Sequence, residues 1–96
     1  MNDTEQRIAV AEACGWTRLR SHPLSRWLSP HGGSWYDAPN YINDLNAMHE
    51  AEKTLTDDQL ITYEGWLIAV AGISSRRATA KERCDAFCLT LGIMKP

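Results

Sequence analysis

The 96 residues predict one α+β domain with four helices and a small two- or three-stranded antiparallel sheet. Three observations carry this. Two stretches, Thr56-Asp57-Asp58-Gln59 and Thr79-Ala80-Lys81-Glu82, match the capping box that opens a helix. Gly15, Gly72 and Gly92 stand where helices would stop. Between residues 16 and 37 the helical period gives way to short Trp-rich runs separated by His22-Pro23 and Pro30-His31-Gly32-Gly33.

The first helix should start near Asp3 or Thr4 and run to Cys14, with Ile8 and Ala11 on its apolar face. Gly15 is placed as the left-handed residue past its end, and Trp16 supplies the apolar contact of a Schellman motif. Residues 16–21, 24–29 and 34–37 then read as strands. With Pro30 to Gly33 as a four-residue loop, Leu28 would face Trp35, Arg26 would face Asp37 and Trp27 would face Tyr36. Large aromatics on both faces imply two covered faces, or one that is a binding surface. A helix over residues 41–53 should turn Tyr41, Leu45 and Met48 to the core, joined by Leu55 beyond a short break. In the third helix Thr56 is the cap, Leu55 and Leu60 form a staple, and Leu60, Ile61, Trp66, Leu67, Ile68 and Val70 follow. The fourth carries Ala80, Cys84, Phe87, Cys88 and Leu91 on one stripe.

Hydrophobic residues at 44% and charged residues at 23% are globular values, and residues 1–96 form a single domain. A chain of this length buries roughly 60–65% of its extended surface, so its four Trp and three Tyr are wanted inside. No apolar run approaches membrane-spanning length, and Asn2-Asp3-Thr4-Glu5-Gln6 is too polar for a signal peptide. Three cysteines cannot all pair, and free thiols point to a reducing compartment, the cytoplasm.

Charge is segregated. Residues 16–36 hold Arg18, Arg20 and Arg26 and no acid, while residues 37–64 hold seven acids against Lys53 alone. The balance turns basic again with Arg76, Arg77, Lys81, Arg83 and Lys95. Either these segments pack beside one another, or they make faces for a charged partner. A net charge of −2 argues against direct nucleic-acid binding.

Chemistry-bearing motifs are weak. Cys84 and Cys88 could offer two thiolates on one helix face, but a closed zinc site needs four ligands, and buried structural thiols are the simpler reading. His49-Glu50 begins a zinc-protease pattern that fails at Lys53, and Gly32-Gly33 lacks the Lys-Ser/Thr of a phosphate loop. No catalytic residues, metal or cofactor are assigned, and the expectation is a protein that is not an enzyme. Binding candidates are Arg18, Arg20, Arg26, Trp27, Trp35, Arg76 and Arg77, because Trp and Arg combine large contact area with hydrogen bonding. Against this, the tryptophans could simply be core and the arginines its rim.

The stretch Asn40 to Lys53 with Thr54-Leu55-Thr56-Asp57-Asp58-Gln59 resembles the phage ABA sandwich domain family. Ile8 to Trp16 upstream and Ala78 to Arg83, Ala86-Phe87 and Leu91-Gly92 downstream extend the resemblance, in the family's order, over nearly the whole chain. It implies helices packed on the sheet as a sandwich, and a phage or prophage origin. In that setting the expected role is an accessory protein that binds and blocks a host protein or defence complex, such as an anti-CRISPR protein. A nucleotide-sequestering protein and an unrecognised hydrolase are the alternatives, and a homodimer is a possible state.

Overall fold

The computed structural model describes residues 1–19, 26–30, 32–35, 38–72 and 77–95. Helix α1 (Asp3–Ala13) leads into strands β1 (Thr17–Leu19), β2 (Arg26–Leu28) and the two-residue β3 (Ser34–Trp35), all antiparallel. Helices α2 (Leu45–Glu52), α3 (Asp57–Ala71) and α4 (Ala80–Thr90) follow. The expected α+β class is therefore what the chain forms.

The helix ends lie close to where their local chemistry puts them. Asn2 caps α1 by accepting from the Glu5 amide at 2.8 Å. Gly15 takes φ +95°, and the amides of Gly15 and Trp16 donate to Glu12 and Ala11 at 3.1 and 3.0 Å, the paired bonds of a Schellman motif. A Cβ on Gly15 would also press on Pro30 at 3.2 Å, so this glycine seats the β2–β3 loop on the end of α1. Thr56 with Gln59 and Thr79 with Glu82 both close their capping boxes. Gly92, at φ +72°, ends α4 with a second Schellman pair.

Two expectations are corrected. The β2–β3 register sets Trp27 against Trp35 and Leu28 against Ser34, one residue from the expected pairing. The Ser29 amide donates to the Gly33 carbonyl at 3.1 Å, so the loop holds three residues instead of four, and Gly32 and Gly33 supply the left-handed turn. Leu45 is exposed rather than in the core. The helix does not include Tyr41: Asp44 is its N-cap, accepting from the Asn46 amide at 3.0 Å, and this break shifts the phase so that Ala47, Met48 and Ala51 point inward. In α3, Tyr63 and Leu67 are buried, while Leu60, Ile61 and Ile68 are exposed.

Helix α4 is the hub: α1, α2 and α3 all pack on it, and Cys84, Ala86, Phe87 and Cys88 are fully buried there. The sheet is held through α1 against β1, with Trp27 buried in the common core. Gln6, though polar, lies inside and joins α1 to α4. Its Nε2 donates to Asp85 Oδ1 at 2.7 Å and its Oε1 accepts from Lys81 Nζ, so each polar atom of the amide is satisfied.

Candidate binding surface

Strand β1 follows directly from the Schellman turn, which fixes where Arg18 emerges. Arg18 pairs with Trp27 across β1–β2, and its guanidinium lies over the buried indole at 5.9 Å from the ring centroid. Stacking at this range is a cation–π contact that holds the side chain without using its N–H donors. Thr17 and Leu28, opposite one another on the other face, are both exposed.

Four of the other described cations are committed within the chain. Arg7 donates to the carbonyls of Pro39 and Ala38 at 3.2 and 2.5 Å, tying α1 to the segment before α2. Lys53 pairs with Glu50 at 2.9 Å, Lys81 with Asp85 at 3.2 Å, and Arg83 with Glu52 at 3.0 Å. Among the described residues, Arg18, Arg77 and Lys95 are exposed with no carboxylate partner.

The sequence candidates are thus divided. Arg18 and Arg77 are presented to solvent, whereas Trp27 belongs to the core and serves as the platform for Arg18. Arg26 is paired by its backbone with Leu19 and Trp35 with Trp27. Arg20 and Arg76 lie outside the described residues. No family model, curated protein or solved structure matches this chain.

Two clefts were not anticipated. One, of about 200 Å³, is lined by Cys14, Trp16, Pro39, Tyr41, Glu50 and Thr54 among others. Burial pushes up both the Cys14 thiol and the Tyr41 phenol there, so each stays protonated at neutral pH. The other, of about 280 Å³, lies between α2, α3 and α4 and centres on Glu52. Glu52 Oε1 accepts from Tyr63 Oη at 2.6 Å and from Arg83, while Oε2 is 3.6 Å from His49 Nδ1. Burial, then the Glu52 carboxylate, drives the Tyr63 phenol upward. This cluster locks three helices together. No sequence spacing marked it, because Glu52, Tyr63 and Arg83 meet only through the tertiary fold.

The thiols of Cys84 and Cys88 are buried one turn apart. The hydrogen bond to Cys88, with burial, holds the Cys84 thiol far above its ordinary value. That is the behaviour of an inert core thiol at Cys84. No group of three metal-ligating side chains occurs among the described residues.

Proposed function

We propose that this chain is a non-enzymatic, phage-encoded accessory protein that binds and blocks a host factor in the bacterial cytoplasm, with a defence inhibitor such as an anti-CRISPR protein as the leading assignment. The observation that supports it is Arg18, stacked on Trp27 and without a carboxylate partner among the described residues, while four other described cations are committed. An arginine so held loses little freedom when its donors meet a partner, and it fits a carboxylate on an acidic protein surface. The phage setting and the inhibitory role rest on the resemblance of residues 8–16, 40–59 and 78–92 to the phage ABA sandwich family. The sandwich belongs to the same proposal, with further packing over the Thr17–Leu28 face.

Expression in a CRISPR-armed bacterium challenged by a targeted phage tests this. The parent chain should restore plaques, and Arg18→Glu, folded by circular dichroism, should not. Losing an anchoring Arg costs about 2 kcal/mol or more, roughly thirtyfold in affinity. A parent chain that relieves no defence, or an Arg18→Glu variant as active as the parent, would sink the proposal. The Trp16–Tyr41 cleft is the feature that favours nucleotide sequestration instead, since two aromatics suit a planar ring. Among the described residues its lining holds Glu50 and no cation to meet phosphate, so a nucleotide thermal shift is the outcome that would revive that alternative.

A further inference from the structure

Helix α3 turns Tyr63 and Leu67 to the core, and the face opposite them is exposed, apolar at Ile61, Gly65, Ile68 and Ala69 and polar at Asp58 and Thr62. At about 100° per residue, Gly65 lies at the centre of that face, flanked by Ile61 and Ile68. Ile61 is 71% and Ile68 54% exposed, each more than half in solvent. A Cβ on Gly65 would meet nothing within 4 Å, and its φ is not positive. Neither packing nor backbone conformation within this chain therefore requires glycine, a poor residue for a helix interior. Its absent side chain does allow another backbone to approach closely.

We propose that this face is the interface of a homodimer, in which α3 packs antiparallel on α3 of a second copy and crosses it at Gly65. Two features select a second copy over any other apolar partner. The first is symmetry. Gly65 sits next to the midpoint of the 15-residue helix, with Ile61 four residues before it and Ile68 three after, so a two-fold axis there sets each Ile61 beside the other copy's Ile68. The second is charge. Asp57 and Asp58 open α3, and the exposed Arg77 comes six residues after its end at Ala71. Antiparallel pairing brings the acids of one copy towards Arg77 of the other, whereas parallel pairing would stack acid on acid.

A stable interface takes about 800 Å² per partner, roughly an eighth of this chain's 6327 Å². One helix face is at the small end of that range, so the dimer is a weak one. The surface is separate from Arg18, and the inference stands whether or not the target-binding proposal holds.

Sedimentation equilibrium across micromolar concentrations is the test. The parent mass should rise with concentration towards twice 10.8 kDa. Ile61→Asp and Gly65→Gln, both on an exposed face, should stay monomeric with parental circular dichroism. Orientation is read from charge: Arg77→Glu alone and Asp57→Lys with Asp58→Lys alone should each weaken self-association at least tenfold. An equimolar mixture of the two should dimerise again, because both ends are then complementary. A parent that stays monomeric throughout, or an Ile61→Asp variant that still dimerises, overturns the proposal. A mixture that fails to recover overturns the antiparallel arrangement.

Discussion

Replacing Leu45 and Met48 by alanine, one at a time, tests the phase of α2. They are three residues apart on one short helix, yet Leu45 is 42% exposed and Met48 is fully buried against the core. Full burial of a leucine side chain is worth about 1.5–3 kcal/mol, so truncating one that keeps nearly half its surface in water should cost about 1 kcal/mol or less, with no cavity left. Met48→Ala removes a side chain that meets protein on every side, and the expected cost is about 2–5 kcal/mol. Against a total stability of about 5–15 kcal/mol, that is a large fraction, and it should lower Tm by roughly 10 °C or more. Urea denaturation measures both, provided the slope m is unchanged. A Leu45→Ala cost of about 2 kcal/mol, or a Met48→Ala cost below about 1 kcal/mol, would refute the placement of the helix start at Asp44.

Thr56→Ala removes the acceptor for the Gln59 amide and should cost about 1 kcal/mol, seen as a lower urea midpoint. Because Tyr63 has a folded-state pKa raised by burial and by Glu52, its contribution is complete below the unfolded value near about 10 and is lost as pH rises through the folded value. Stability should therefore fall above about pH 10, with Tyr41 acting in the same sense, and Tyr63→Phe should flatten that loss; constant stability into that range would contradict it. Among the thiols, Cys14 is partly exposed while Cys84 and Cys88 are buried, so a thiol reagent should modify Cys14 first and the other two only as the protein unfolds. Chelator should leave Tm unchanged, and stoichiometric zinc in the purified protein would reverse that reading.

Features set by contiguous residues were legible. Both capping boxes and the Gly15 and Gly92 stops depend on bonds spanning a few residues, so the local pattern determines them. Where a single residue of phase mattered, inference failed. One fewer loop residue between Ser29 and Gly33 moved the β2–β3 register, and an N-cap at Asp44 took Tyr41 out of the helix and Leu45 out of the core. Helix α3 was opaque for another reason. It is apolar around much of its circumference, and periodicity cannot tell which apolar side meets α4 and which stays in water. Of the candidate site, the residue types were readable, but which would be core and which exposed was not, since the burial of Trp27 and the exposure of Arg18 are set by packing across the fold.

The charge segregation along the chain resolves only in part on folding. Glu52 of the acidic stretch meets Arg83 of the basic end, and Lys81 reaches back 3.5 Å to Asp3 as well as to Asp85. Asp57 and Asp58 have a local reason to exist, because acids in the first turn offset the positive end of the helix dipole. Arg18 has none of that kind. Exposed ion pairs contribute only about 0–1 kcal/mol to folding, so stability alone gives little reason to place an exposed arginine over Trp27. Salt separates the two uses of charge. Raising ionic strength from about 0.15 to 1 M shortens the screening length from about 8 to 3 Å, which barely touches the part-buried Glu52–Arg83 pair but weakens a partner held through Arg18. The urea midpoint should therefore move little over that range, while affinity for a partner gripped by Arg18, as proposed, should fall steeply. If folding weakens as much as binding does, the arginines serve the fold, and Arg18 is no longer the site.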